Sequence, residues 1–291
     1  MSDPKGIVLV TGIKVRQSHH TFTHPTAAQP IEVNNVHYKV NTAAGVAIEV
    51  TKAGYCVHMA GFSEFDLRLV GDQMTGLLFS SEVVDPLHQE DVERLAATVR
   101  ALQKRHNVPV SIVHYGGAST TAQSLPHDTV FLSLDKIPFE APANLVRDNV
   151  ETFLRLYAAM RDLLYEQKVS KVISITSLAS WRCKTEFALD ALQKGAMHNL
   201  LRCAALEETK RGVYITEIMP GITDTGYYDK NETLACSLRQ AQELGYRWTE
   251  DDFPLYRPEH IGMQVVHVLE SPFYIPIMPS MPFGQYPHLG A

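Results

Sequence analysis

The sequence has few cysteines and no excess of positive charge, and both absences exclude classes of protein. Its four cysteines are scattered without a Cys-x-x-Cys pair. This argues against a disulfide framework or a zinc site and indicates reduced thiols. The net charge of −6 argues against a nucleic-acid partner, because phosphate binding needs concentrated lysine and arginine.

Long apolar runs and a secretion signal are also missing. No run of about 18 apolar residues occurs, so we expect no membrane span. Residues 1–6 lack the basic-then-apolar layout of a signal peptide. We therefore expect a cytoplasmic protein.

The chain does contain an alternation of short β-branched runs and longer helical stripes. Strands are predicted at residues 7–10, 55–60, 74–84, 108–114, 171–175 and 213–218, with a last edge strand at 274–277. Helices are predicted at residues 43–53, 91–105, 143–167, 186–211 and 258–269. The alternation predicts one α/β domain over residues 1–291, with a doubly wound parallel sheet of Rossmann type.

In such sheets ligands bind outside the carboxyl ends of the strands. We therefore expect the polar turns that follow the predicted strands to line one crevice. These turns lie at residues 11–12, 60–63, 114–118, 175–180 and 219–226.

Two segments do not follow the alternation. Residues 13–41 are rich in His, Thr, Gln, Asn and Pro and are expected to form an irregular insert, either a surface excursion or a translated intron. No metal site is expected there, because its histidines (His19, His20, His24 and His37) have no cysteine or carboxylate partners at ligand spacing. Residues 222–258 are polar and aromatic, which is typical of a mobile lid.

The lid contains a cluster of aromatic residues: Tyr227, Tyr228, Trp248, Phe253 and Tyr256. Aromatic walls suit a large, flat, apolar substrate. Internal packing or a subunit interface is the alternative interpretation.

Seven short motifs occur in a fixed order. They are Thr11-Gly12 with Ala44-Gly45-Val46-Ala47, then Glu82, His114-Tyr115-Gly116-Gly117, Asn149, Ser177, Lys194, and Pro220-Gly221-Ile222-Thr223-Asp224-Thr225. In this order and spacing they resemble the short-chain dehydrogenase/reductase family over nearly the whole chain.

The resemblance implies a nicotinamide cofactor and assigns its contacts. Gly12 and Gly45 would form the phosphate turn, Glu82 would contact adenine, and Tyr115 and Gly116 would line the cofactor. Lys194 and the turn containing Pro220, Gly221, Thr223 and Thr225 would meet the nicotinamide half. Gly61 stands where NAD-preferring members carry an acidic residue, so NADP(H) is expected, with Ser63 or Arg68 as candidate phosphate ligands.

The resemblance also implies a catalytic set and an assembly. Ser177, Lys194 and Asn149 match the family's catalytic serine, lysine and asparagine. A homo-oligomer is expected by analogy, a tetramer in most members, with residues 279–291 as a tail that packs on a neighbour.

The main departure from the family pattern is Asp190. Counting four residues back from Lys194 gives this aspartate where the family has its proton-donating tyrosine. An aspartate one helical turn from a lysine is expected to be ionised and a poor acid. It can instead stabilise a cation or accept a proton, which fits reduction of a cyclic iminium better than reduction of a ketone.

In this respect the chain resembles fungal reductases that also template a Diels–Alder cycloaddition in pathways to indole alkaloids such as malbrancheamide and paraherquamide. They carry aspartate at the tyrosine position, paired with an arginine on the fourth helix, which here would be Arg155. By this resemblance the substrate is a cyclic iminium derived from a prenylated indole dipeptide. A pocket of the right shape would then orient the product for cycloaddition.

Three alternatives remain open at the level of sequence. The chain could be a cofactor-independent cyclase or lyase with Asp190 as general base. It could be a non-catalytic pseudoenzyme that kept the scaffold. It could also be an ordinary ketoreductase in which Tyr115 or His114 supplies the proton.

Overall fold

The computed structural model describes residues 3–18, 27–116, 132–182, 186–227, 231–243, 245–249, 253 and 255–281. Its strands are β1 (Ile7–Ile13), β2 (Val15–Gln17), β3 (Ile31–Val33), β4 (Val36–Val40), β5 (Cys56–Gly61), β6 (Phe79–Val83), β7 (Val110–Tyr115), β8 (Ser170–Ile175), β9 (Val213–Pro220) and β10 (Ile277–Ser280). Its helices are α1 (Thr42–Lys52), α2 (Glu64–Asp72), α3 (Gln89–His106), α4 (Ala141–Tyr165), α5 (Ala188–Glu208), α6 (Asn231–Glu243) and α7 (Pro258–Glu270). Short 3₁₀ turns occur at Leu134–Lys136, Leu178–Ser180 and Thr209–Arg211.

Seven strands form a parallel sheet in the order β10-β9-β8-β7-β1-β5-β6. Successive residues of β1 face opposite sides of the sheet: Val8 and Val10 join one hydrophobic core, and Ile7 and Leu9 join the other. Burial on both faces explains the continuous apolar run in the sequence. The predicted doubly wound sheet is confirmed, and the strand order reverses between β1 and β7.

Several elements differ from the predicted ones, and one of them, helix α6 (Asn231–Glu243), lies inside the segment predicted as a mobile lid. Helix α2 was not predicted, because it is only nine residues long and its apolar stripe is short. Strand β6 begins at Phe79 rather than at residue 74, since a turn with Gly76 at φ +81° precedes it. Strand β10 covers Ile277–Ser280, three residues later than expected, and pairs with β9.

The insert is more regular than expected. Strands β2, β4 and β3 form a three-stranded antiparallel sheet in that order. Asn34 and Asn35 turn between β3 and β4 with φ of 51° and 62°, the backbone of a two-residue hairpin. The expectation of an irregular segment was therefore wrong for 15–17 and 31–40. His19, His20 and His24 lie outside the described residues.

Both ends of the insert are tied together by Asn41. Its backbone N–H donates to the Lys14 carbonyl at 2.9 Å, and its Nδ2 donates to the Gly12 carbonyl at 2.7 Å. Its Oδ1 accepts from the backbone N–H groups of Lys14 and Ala44, so it also caps α1. The insert therefore leaves and rejoins the main sheet at one point, which favours a native excursion over a translated intron.

Candidate cofactor and active site

A cavity opens at the carboxyl ends of β1, β5, β6 and β7, where the strand order reverses. Three of the predicted turns contribute to it, at residues 11–12, 60–62 and 114–116. The turns at 175–180 and 219–226 do not line this cavity. Its other walls come from residues 84–87 and from apolar side chains of α3 and α4: Val92, Leu95 and Leu156.

Two glycines keep the floor of the cavity open. Gly12 has φ of +81°, and a Cβ placed on it would lie 2.3 Å from the Tyr115 carbonyl oxygen. A Cβ on Gly61 would lie 2.7 Å from the Ile13 carbonyl oxygen. Side chains at either position would force the strand ends apart.

Gly45 does not line this cavity, although the sequence comparison placed it in the phosphate turn. A Cβ at Gly45 would lie 2.4 Å from Pro258, at the start of α7. Its missing side chain therefore permits close packing of α1 on α7.

The N-terminus of α1 and two basic side chains make one wall of the cavity positive. Asn41, the N-cap of α1, lines the cavity together with Lys14 and Arg16. Helix N-termini and basic side chains both attract phosphate. Lys14 and Arg16 belong to the insert, so sequence reasoning, which treated the insert as an interruption, missed them.

The two candidate phosphate ligands named from the sequence have other roles. The Ser63 hydroxyl accepts a hydrogen bond from the Asp66 backbone N–H and caps α2. The guanidinium of Arg68 lies over the Phe65 ring at 5.9 Å. Neither residue lines the cavity.

Glu82, the expected adenine contact, points away from the cavity. Its carboxylate accepts from Arg94 Nε at 2.5 Å and lies 3.5 Å from His58 Nε2. Two acidic residues line the cavity: Asp85, three positions later and beyond the end of β6, and Asp148 of α4. The adenine contact itself stays a prediction, and Asp85 rather than Glu82 lies at the cavity.

Lys194 contacts the end of β7. Lys194 is buried and its Nζ donates to the Gly116 carbonyl at 3.0 Å. Its Nζ also lies 5.9 Å from the centre of the Tyr115 ring. Gly117 lies outside the described residues.

His114 is buried behind this contact. Burial, with a smaller effect from the positive charge of Lys194, lowers the pKa of His114 to about 3. The imidazole is therefore neutral near pH 7 and cannot act as a cationic acid there.

Asn149, Gln193 and Asp190 form a chain of hydrogen bonds between α4 and α5. Asn149 Nδ2 donates to Gln193 Oε1 at 2.7 Å, and Gln193 Nε2 donates to Asp190 Oδ1 at 2.9 Å. Sequence reasoning had singled out Asn149 and Asp190 but not Gln193. The signal for Gln193 was its place on α5, three residues after Asp190 and thus on a neighbouring part of the helix surface.

The predicted catalytic residues Ser177 and Arg155 have local partners. Ser177 Oγ accepts from the Ala179 backbone N–H and caps the 3₁₀ turn that follows β8. Arg155 donates to Glu151 at 2.7 Å and to Gln89, at the start of α3, at 3.2 Å. Within the described part of the chain Arg155 thus bonds on the α3 side of α4, and the structure does not bring it to Asp190.

The loop after β9 is fastened to the insert. Pro220 ends β9, and Gly221 donates its N–H to the Ser280 carbonyl. Beyond them lies Asp224, whose carboxylate accepts from Lys39 Nζ of β4 at 2.9 Å, with both side chains completely buried. It also accepts from the Ala28 N–H at 2.9 Å.

Two neighbouring threonines extend this loop. Thr225 receives a hydrogen bond at its carbonyl from Arg16, and Thr223 pairs with Tyr256 in a short bridge. The insert and the first residues of the predicted lid are therefore packed against each other.

Most described aromatics of the predicted lid pack internally. Phe253 is fully buried in a cluster with Leu234, Leu255 and Ala27 of the insert, and Trp248 lies against it. The Tyr256 hydroxyl bonds Ser280, and the Tyr227 ring lies 5.7 Å from the Arg16 guanidinium. These contacts favour the packing interpretation for Trp248, Phe253 and Tyr256. Tyr228 lies outside the described residues.

The described ranges contain neither a membrane-spanning helix nor a metal-binding cluster. No helix there is long and apolar enough to cross a membrane. No group of three or more His, Cys, Asp or Glu side chains in those ranges is arranged to hold a metal ion.

Fold and site together define a dinucleotide-binding type of α/β protein, with a glycine turn, a helix N-terminus and a cavity at the switch point of the sheet. The sequence model of the short chain dehydrogenase family matches residues 43–234, more than half of the chain. The chain therefore belongs to the short-chain dehydrogenase family of oxidoreductases. The match begins immediately after the insert.

Solved structures similar to this chain are short-chain dehydrogenases of low sequence identity. An NADPH-bound short chain oxidoreductase from Pseudomonas aeruginosa, described as containing an atypical catalytic center, has 15% identity and a TM-score of 0.69, with 98% of this chain and 99% of that chain covered. A metagenomic short-chain oxidoreductase in complex with NADP has 16% identity and a TM-score of 0.62, with 96% and 98% covered. A short-chain dehydrogenase/reductase from Mycobacterium ulcerans has 17% identity and a TM-score of 0.69, with 96% and 89% covered. No curated protein sequence matches the chain.

Proposed function

We propose that this chain is an NADPH-dependent reductase of a cyclic iminium. The observations that carry the proposal are a carboxylate, Asp190, one helical turn before the buried Lys194, and a cavity with a positively charged wall, whose residue Gly116 accepts a hydrogen bond from Lys194. The first feature suits a cationic acceptor of hydride and the second suits a phosphorylated dinucleotide.

The cavity fits the dinucleotide by its shape and charge. Gly12 and Gly61 leave room at the strand ends, and the first turn of α1 offers backbone N–H groups to a diphosphate. Lys14 and Arg16 would hold the additional 2′-phosphate, with no acidic side chain on Gly61 to repel it. Two similar solved structures contain NADP and NADPH, which agrees with this choice.

An iminium acceptor makes a proton donor unnecessary at the reacting group. A bound nicotinamide would supply the hydride that adds to the iminium carbon. The π-electron pair of the C=N bond would become the lone pair of a neutral amine, so no residue has to donate a proton. The carboxylate of Asp190 would stabilise the cation and orient it.

The other predicted catalytic residues would organise the site. Lys194 fixes the end of β7 through the Gly116 carbonyl. Asn149 connects to Asp190 through Gln193. Ser177 lies at the start of the turn after β8, where the family resemblance puts the catalytic serine.

The competing functions have less support. A ketone reductase needs a proton donor. His114 is a poor one, because its pKa is lowered to about 3 and its imidazole is therefore not protonated near pH 7. Tyr115 remains the candidate donor for that activity. Against a pseudoenzyme, the buried Lys194 is bonded to Gly116 at the cavity, and Asp190 is hydrogen-bonded to Gln193. A cycloaddition in the same pocket stays a prediction that no contact in the described residues supports, as does cofactor-free cyclase activity.

We also propose that the chain forms a homo-oligomer. Helices α4 and α5 expose the large apolar side chains of Leu154, Leu192 and Leu206, which a partner subunit could cover. Residues 282–291, most of the predicted contact tail, lie outside the described residues.

The test combines cofactor binding with turnover of a simple probe. Fluorescence titration with NADPH is followed by an assay of NADPH oxidation with N-methyl-dihydroisoquinolinium, a cyclic iminium that carries a permanent charge. We expect NADPH binding and cofactor-dependent formation of the amine. The Asp190→Asn variant, which keeps the shape but loses the charge, should bind NADPH normally and reduce the probe at least about tenfold more slowly.

Each contrary outcome refutes a different part of the proposal. No binding of NADPH by the wild type would refute the reductase. Binding with reduction of a ketone but not of the iminium would refute the substrate class. Full activity of Asp190→Asn would remove the charge of Asp190 from the mechanism.

A further inference from the structure

Gln193 is a buried polar residue that neither the family motifs nor the proposed chemistry assigns. Only 3% of it is exposed, and it lies between the catalytic candidates on α4 and α5. Its amide oxygen accepts from Asn149 Nδ2, and its amide nitrogen donates to Asp190 Oδ1. An apolar residue would fill the same volume without a buried amide that must be hydrogen-bonded.

The direction of these hydrogen bonds follows from one backbone carbonyl. Asn149 Nδ2 also donates to the Leu145 carbonyl at 2.9 Å, within α4. A carbonyl can only accept, so the nitrogen of the Asn149 amide must be on this side. Gln193 must then turn its oxygen to Asn149 and its nitrogen to Asp190.

The consequence at Asp190 is that the facing oxygen must accept a hydrogen bond. An ionised carboxylate accepts at both oxygens, whereas a protonated carboxyl group loses part of this capacity. A hydrogen bond to the charged form favours that form. The hydrogen bond from Gln193 therefore holds an acceptor oxygen at position 190 in one orientation.

We propose that Gln193 is a positioning residue that holds Asp190 as an oriented hydrogen-bond acceptor toward a cationic substrate. The inference rests on the proposed function for its catalytic part. The hydrogen-bonded link itself can be tested without any substrate.

The first experiment is a double-mutant cycle on thermal unfolding of the full chain. Gln193→Met preserves the length of the side chain and removes its donor. The unfolding midpoint is measured for the wild type, for Gln193→Met, for Asp190→Leu and for the double variant. We expect the decrease in unfolding midpoint of the double variant to be smaller than the sum of the two single decreases. Each single variant already removes the same hydrogen bond between Gln193 and Asp190. Strictly additive losses would overturn the link between Gln193 and Asp190.

The second experiment measures turnover of N-methyl-dihydroisoquinolinium by the same variants. Gln193→Met should lower kcat for the iminium by about tenfold or more, as expected for loss of a hydrogen bond to a charged group, with the KM for NADPH unchanged. Gln193→Glu, which replaces the donor by a like charge, should lose more than Gln193→Met. In the Asp190→Asn background, Gln193→Met should have little additional effect.

Two results distinguish this inference from the proposed function. Equal losses of kcat from Gln193→Met in the wild-type and Asp190→Asn backgrounds would overturn it, because Gln193 would then act through another group. If the wild type does not reduce the probe, the proposed function fails, and the stability cycle still decides whether Gln193 holds Asp190.

Discussion

Replacing Lys39 by methionine should destabilise the protein strongly, because it leaves a buried carboxylate without its cation. Lys39 and Asp224 are both 0% exposed, and their charged atoms are 2.9 Å apart. Removal of one member of a buried ion pair typically costs about 3 to 5 kcal/mol. Since the pair joins the insert to the loop after β9, the loss should loosen both.

The assay is equilibrium unfolding in urea, with Lys52→Met as the matched control. Lys52 pairs with Glu49 at 2.8 Å on the surface, so its removal should cost only about 0.5 kcal/mol. The double variant Lys39→Met with Asp224→Leu removes both charges and should recover part of the loss, although the Ala28 N–H then lacks its acceptor. A cost for Lys39→Met no greater than that for Lys52→Met would refute the argument that this pair anchors the insert.

Two further predictions concern the cofactor cavity. Arg16→Met should weaken NADPH binding by about tenfold or more and leave NADH binding nearly unchanged, because only NADPH carries the 2′-phosphate. Calorimetry with both cofactors measures the two affinities, with Arg68→Met as the control. An equal loss of affinity for NADH would contradict the assignment of Arg16 to the 2′-phosphate. His114 should stay neutral as pH falls from 6.5, since its folded-state pKa is lowered to about 3. The unfolded chain then binds one proton more than the folded chain. The contribution of His114 to the free energy of unfolding is therefore fully present above pH 6.5 and is lost as the pH falls toward 3. In this range the free energy of unfolding decreases by up to about 1.4 kcal/mol per pH unit. Urea unfolding of wild type and His114→Asn between pH 7 and 5 measures the difference, and parallel pH profiles would contradict the buried neutral state.

The sequence predicted well those features that depend on local pattern. Strands β1, β5, β7, β8 and β9 were located within a few residues, because β-branched runs buried on both faces stand out from polar turns. The contact of Lys194 with the end of β7 agrees with the family motif.

Predictions that depended on which face of an element a residue occupies were less successful. Glu82 and Asp85 lie three positions apart near the end of β6, and only the course of the backbone shows that Asp85 meets the cavity. Gly45 was assigned to phosphate binding, but the position of α7 makes it a packing glycine. Arg155 was matched to Asp190 from the family pattern, but its partners are Glu151 and Gln89.

By itself, the sequence determined the parallel α/β fold, the order of the main strands and helices and the presence of Asp190 four residues before Lys194, because periodicity and spacing are properties of the chain. Only the tertiary structure decided what the insert does. The buried ion pair between Lys39 of the insert and Asp224 joins residues that are 185 positions apart. No local pattern in the sequence indicates that Lys39 is buried against Asp224. The same holds for Gln193, whose two hydrogen bonds exist because α4 and α5 pack side by side and exclude water from the amide between them.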